Sequence, residues 1–112
     1  MTVTVKVLVP SKLLEPVPTI QYSCLTKAAI IDKCVVMNVS DFATITVDIV
    51  IDNLDDPVAF TGGLFLQKLL QPLESYTCPE IAGFALGYQD RIITGTLGSG
   101  SCSMRITGRE IS

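Results

Sequence analysis

Residues 44–51 read Thr-Ile-Thr-Val-Asp-Ile-Val-Ile, and this run limits the possible fold more than any other part of the chain. Successive side chains of an extended strand point to opposite faces. Ile45, Val47, Ile49 and Ile51 then share one face, and Thr44, Thr46 and Asp48 share the other. A helix would scatter these residues around its surface and would restrict so many β-branched side chains. The run is predicted to be a half-buried strand. The same alternation opens the chain, which puts Val3, Val5, Val7 and Val9 on one face and Thr2, Thr4 and Lys6 on the other.

Further strands follow from composition and turn signals. Thr19 to Leu25 and Ile30 to Val39 are rich in Ile, Val, Tyr and Thr, and residues 40–43 are expected to turn the second into Thr44–Ile51 as a hairpin. Asn53-Leu54-Asp55-Asp56-Pro57 is a turn cluster, and Gly62-Gly63 is another break. Leu64 to Leu73 suits a helical turn or a strand; its short length before Pro72 favours the strand. Gly98 to Ser101 is expected to join Arg91–Leu97 to Cys102–Thr107 as a hairpin. Cys102, Met104 and Ile106 would face inward and Ser103, Arg105 and Thr107 outward. Residues 1–18 hold Pro10, Pro16 and Pro18 and suit an extended N-terminal strand or arm, because proline cannot donate to a ladder. About eight short strands with regular turn signals predict an all-β fold. The expectation is an antiparallel β-sandwich, jelly-roll-like, in one domain spanning residues 1–112.

Composition narrows the partners. Apolar residues make up 48% of the 112, enough for a core, and the net charge is −3 with no Lys/Arg cluster. Nucleic acid and anionic membrane surfaces both call for a basic face, so neither is an expected partner. No apolar run approaches the ~20 residues that span a bilayer. The opening alternates instead of showing a signal-peptide pattern, so synthesis in the cytoplasm without a signal peptide is expected. The four cysteines, Cys24, Cys34, Cys78 and Cys102, form no C-x-x-C pair and are expected to be reduced and buried. One or two disulfides remain the alternative for a protein outside a cell.

Candidate chemistry is sparse. The chain has no histidine, which removes the usual general base, the Ser-His and Cys-His nucleophile pairs, and the commonest metal ligand. Asp52, Asp55 and Asp56 lie close together but lack the ligand spacing of an EF-hand loop. Glu74 and Glu80 flank Tyr76 and are the one conceivable glycosidase-type carboxyl pair. Gly95, Gly98 and Gly100 open no helix and so form no phosphate loop. Asn38-Val39-Ser40 matches a glycosylation sequon, a short pattern that is common by chance. With no tryptophan, only Tyr22, Tyr76 and Tyr88 offer rings with a polar tip for sugar stacking. The expectation is no enzyme, no cofactor, no metal and no small-molecule substrate. Leu13, Leu14, Phe60 and Phe65 are apolar where a polar side chain is expected, which makes them candidate partner-interface residues.

Three segments carry a resemblance. They are Ile30-Ile31-Asp32-Lys33-Cys34-Val35-Val36-Met37-Asn38, then Glu74-Ser75-Tyr76-Thr77-Cys78-Pro79-Glu80-Ile81-Ala82-Gly83, then Ile106-Thr107-Gly108-Arg109-Glu110-Ile111-Ser112. With the opening Val7-Leu8-Val9-Pro10-Ser11-Lys12-Leu13-Leu14, they are similar to the capsid decoration, or stapling, proteins of epsilon15-like short-tailed phages. Cys34 departs from the pattern, which has an aromatic there, and so does Phe84-Ala85-Leu86-Gly87-Tyr88, where the family is richer in Gly and Pro. The resemblance implies a jelly-roll-like sandwich on the outer surface of a virion. It would pair with itself as a homodimer and clamp neighbouring major capsid protein subunits. The alternative expectation is a glycan- or receptor-binding module of a phage tail or fibre.

Overall fold

The computed structural model describes residues 2–55 and 64–112, with the backbone alone for 64 and 65. Among the described residues there are nine strands and no helix. These are β1 (Val3–Leu13), β2 (Thr19–Ser23), β3 (Ala28–Asn38), β4 (Ile45–Asn53), β5 (Leu64–Leu70), β6 (Ser75–Tyr76), β7 (Ala85–Gly87), β8 (Asp90–Gly98) and β9 (Cys102–Ile111). The first sheet has the order β1-β9-β3, and β6 and β7 divide the far edge of β3 between them; the second has the order β2-β8-β4-β5. All pairings are antiparallel. This is the double-sheet order of a jelly roll.

The fold class matches the sequence expectation, but two hairpins do not. β3 lies in the first sheet and β4 in the second, so residues 40–43 form a corner between sheets. β8 and β9 are divided the same way across residues 99–101. Alternation fixes which side chains face inward, but it does not specify which strand becomes the neighbour. The stretch 64–70 is a strand, as expected.

The core lies between the sheets. Ile45, Val47 and Ile49 of β4 meet Cys34 and Val36 of β3 and Cys102, Met104 and Ile106 of β9. Ser103 and Thr107 are half-buried and Arg105 is exposed, as the alternation in β9 predicts. Residues 77–84, between β6 and β7, fold under β3. The Gly83 N–H donates to the Ile31 carbonyl at 2.6 Å, and the Ile31 N–H donates to the Phe84 carbonyl at 2.9 Å. These two bonds continue the ladder where neither β6 nor β7 reaches, and Cys78 and Ile81 are buried in the core. Gly83 has φ +84°, a left-handed conformation in which glycine carries no Cβ penalty.

The N-terminal alternation is real, but it breaks. Val7 pairs with Thr107, and Val9 pairs with the next residue, Ile106, so Leu8 is the extra residue of a bulge. The bulge reverses the faces. Leu8 and Val9 are buried, whereas Val3, Val5 and Val7 point outward and are exposed, contrary to the shared face expected for the four valines. β3 bulges at the adjacent step of β9, with Ile31 opposite Gly108, Lys33 opposite Thr107, and Asp32 between.

Asn38 ties the corner together. Its side chain is fully buried, and its Nδ2 donates to the carbonyls of Ala43 (2.7 Å), Gln71 (3.2 Å) and Leu70 (3.3 Å). Its Oδ1 accepts from the Ser40 N–H at 3.0 Å. This burial removes the sequon asparagine from the surface. Asn38→Ala strands buried backbone groups and is expected to destabilise the fold by about 2–4 kcal/mol. Urea unfolding checks this: the midpoint should fall with the slope unchanged, and a midpoint unmoved from the wild type would refute it.

At the other end of the first sheet, the Tyr22 hydroxyl donates to the Glu110 carboxylate, and the Lys6 ammonium contacts the same carboxylate at 3.0 Å. The Tyr22 hydrogen bond holds the Glu110 carboxyl below its ordinary value; partial burial opposes this and Lys6 assists it. A carboxyl with a depressed folded-state pKa stabilises fully above its unfolded value and loses that contribution as pH falls through the folded one. The loss should therefore begin near the ordinary carboxylate value of 4.5 and end below it. Glu110→Gln should melt below the wild type at pH 7, with the gap closing under pH 4.5; a gap that stays constant from pH 7 to pH 3 counts against this assignment.

Candidate interaction surface

The register places the outward residues of the first sheet on one continuous face. β1 contributes Val3, Val5, Val7 and Leu13; β9 contributes Arg105, Thr107 and Arg109; β3 contributes Ile30, Lys33, Val35 and Met37. Val5 is 82% exposed and Leu13 is 59% exposed. An apolar stripe with this exposure runs along an edge strand, where proteins normally place charges.

The edge is open in its backbone as well. Thr2 and Ser112 exchange both backbone hydrogen bonds, at 3.2 and 2.9 Å. Antiparallel pairs alternate between hydrogen-bonded and non-bonded, so Thr4 and Lys6 also turn their backbone groups toward β9. Val3, Val5 and Val7 turn theirs away from it, and among the described residues no strand lies on that side of β1.

The charges on this face are unequal in kind. Arg109 forks onto both carboxylate oxygens of Asp32 at 2.9–3.2 Å. That contact raises the guanidinium pKa further above its ordinary value. Arg105 reaches only the Ser11 hydroxyl, at 3.2 Å, and Lys33 forms no ion pair among the described residues. Both line a groove of about 420 Å³ together with Val35, Met37 and Thr107.

The four predicted contact residues part company. Leu13 is on the outward face. Leu14 is 8% exposed and belongs to the core, with its N–H donating to the Cys102 carbonyl at 2.8 Å. The connection after β1 turns inward at Leu14, a reversal that chain polarity alone does not reveal. Phe60 lies outside the described residues, as does the side chain of Phe65; the Phe65 backbone is the extra residue where β5 slips against Ile49 and Val50. Sequence reasoning marked Arg105 as outward but overlooked Lys33. The available signal was Asp32-Lys33, two charged residues in succession inside an apolar strand, which marks the bulge.

The residues weighed for chemistry are held in other contacts. Arg91 grips Asp52 through two hydrogen bonds, at 2.8 and 2.7 Å, inside the second sheet. Asp55 donates its backbone N–H to Asn53 Oδ1, and Asp56 lies outside the described residues. Glu74 accepts from the Gln71 N–H at 2.8 Å, and Glu80 accepts from the Tyr76 hydroxyl at 2.7 Å. Lys68 sits 5.0 Å from the centre of the Tyr76 ring. Tyr22 is buried, while Tyr88 is exposed on the turn between β7 and β8.

All four cysteines are buried and unbridged. Contact with the Cys78 thiol, together with burial, pushes the Cys34 thiol far above its ordinary pKa, and burial pushes Cys102 up to about 11. Cys34 and Cys102 are therefore neutral thiols near pH 7 and poor nucleophiles. No helix among the described residues is long and apolar enough to cross a membrane.

Compared with models of protein families, with curated proteins and with solved structures, the chain matches none.

Proposed function

We propose that this chain is a viral structural protein that decorates the outer surface of a phage capsid and staples neighbouring major capsid protein subunits. One observation carries the reading: the outward face of the first sheet, where Val3, Val5, Val7 and Leu13 are exposed beside Lys33 and Arg105, which have no carboxylate partner among the described residues. The resemblance supports it. Its segments meet in space, with Asp32 of the first bonded to Arg109 of the third, and Gly83 of the second bonded to Ile31 of the first. The jelly roll is an architecture that capsid proteins share with lectins and cupins, so it supports the reading only by analogy.

Self-pairing fits the same strand. The free edge at Val3, Val5 and Val7 would add the same edge of a second copy, antiparallel, across a two-fold axis at Val5. Val3 would then face Val7 of the other copy, and β-branched residues suit such cross-strand contacts.

Two experiments follow. Purified particles should carry this chain in fixed ratio to the shell protein, and particles lacking it should rupture at lower temperature. Virions without the chain would sink the decoration reading. Light scattering should report a dimer, and Val5→Pro should report a monomer. The Val5 N–H points away from β9, so proline there removes an edge donor without removing a bond within the sheet. A wild-type monomer at tens of micromolar would overturn the self-pairing.

A further inference from the structure

We infer that the groove on the outward face of the first sheet is the seat for an extended, carboxylate-bearing segment of a partner protein. The inference rests on the reading of this chain as a docking protein and names the chemistry of the contact. Charge distribution is the first ground. The chain has eight Lys and Arg residues and a net charge of −3. Lys6, Lys12, Arg91 and Arg109 are neutralised by carboxylates, and Lys68 lies over the Tyr76 ring. Among the described residues Lys27, Lys33 and Arg105 are not so used, and two of these three, Lys33 and Arg105, line the groove. Among the described residues no Asp or Glu lines it. The nearest carboxylate in sequence, Asp32, is turned to Arg109 by the bulge. Two cations without a carboxylate partner among the described residues thus share one concavity of an acidic protein.

Geometry is the second ground. Val35 pairs with Arg105 and Lys33 pairs with Thr107, so Lys33 and Arg105 are diagonal neighbours on one face. Such positions lie about 7–8 Å apart, close enough for their long side chains to converge on one carboxylate or to hold two in succession. Arg105 is braced toward β1 by Ser11, which leaves most of its guanidinium donors for a ligand. Val35 and Met37 line the groove with apolar surface, which suits aliphatic side chains flanking the acid. A volume of about 420 Å³ fits a few residues of extended chain. Nucleic acid is disfavoured: two cations release few counterions, and the surrounding net charge repels phosphates.

The test is an amide-shift titration of the full chain by NMR. The probes are acetylated, amidated pentapeptides: Val-Glu-Val-Asp-Val, its Gln/Asn counterpart, and its Lys counterpart; an oligothymidylate is the fourth. The acidic peptide should saturate shifts at Lys33, Val35, Arg105 and Thr107. Binding should weaken at least ten-fold in the Lys33→Gln, Arg105→Gln double variant, whose spectrum should otherwise remain dispersed. Absence of saturable shifts, equal binding of the neutral peptide, or preference for oligothymidylate each overturns the inference. Co-sedimentation with capsid shells separates the two levels. If the wild type and the double variant co-sediment equally, the decoration reading stands and the groove is not the seat. If the wild type fails to co-sediment, that reading falls, and the peptide titration still decides the groove.

Discussion

The close approach of the β3 backbone to β9 at Gly108 constrains the first sheet. A Cβ at this position would run into the Ile30 carbonyl oxygen and press on Leu8 Cδ1 at 2.9 Å. Only glycine lets β3 close on β9 here with Leu8 packed beside it; β3 bulges at this step, and β1 bulges at the next step along β9. The bulge in β1 turns Val3, Val5 and Val7 outward while Leu8 and Val9 enter the core. The bulge in β3 frees Asp32 to meet Arg109 and leaves Lys33 beside Thr107. Bulges commonly re-aim side chains in this way. The exposed valine stripe and the outward Lys33 therefore each follow from a bulge against β9, at adjacent steps. A side chain at residue 108 would disturb both the packing and the surface.

Polar contacts elsewhere act as fasteners at the corners. Asn38 closes the turn that carries the chain from the first sheet to the second. Asp52 and Arg91 join β4 to β8, and Asn53 bridges to Asp90 at 2.8 Å next to the turn after β7. Buried groups such as Asn38 are costly to leave unpaired, so their value lies in specifying one arrangement. Exposed pairs such as Lys12–Glu15 contribute little, in the range of about 0–1 kcal/mol. The core supplies the stability, and the fasteners select the connectivity.

Much of this was legible in the residues. Alternation at 44–51 located β4 and its inward face, and the inward set Cys102, Met104 and Ile106 followed from the same period. Two things were not legible. The first was strand partnership: Ser40-Asp41-Phe42-Ala43 has the composition of a hairpin turn, yet it spans two sheets, because the contacts that hold it come from Leu70 and Gln71, far along the chain. The second was parity after a bulge. Val9 continues the pattern of Val7 in sequence, and only the extra residue Leu8 sends them to opposite faces. Leu14 misled for a similar reason, since nothing in its neighbours shows that the chain turns into the core there. Lys33 became visible as a surface cation only once Asp32 was seen to be the extra residue.

The two proposed contacts use different parts of β1 and its neighbours. Self-pairing uses the strand edge, where Val3, Val5 and Val7 turn their backbone groups away from β9. Docking uses the sheet face, where Lys33 and Arg105 flank the groove. A strand added at the edge extends the sheet without covering its face. In the proposed dimer the two outward faces form one sheet surface, with the grooves related by the two-fold axis. Both cation pairs then address the same side of the assembly. Weak seats held in fixed geometry bind far more tightly together than singly, because the second contact becomes intramolecular. A small groove with two cations cannot by itself hold a capsid together. On the proposed reading, a rigid pair of such grooves, repeated over a shell, would clamp neighbouring subunits with modest contacts that each remain reversible.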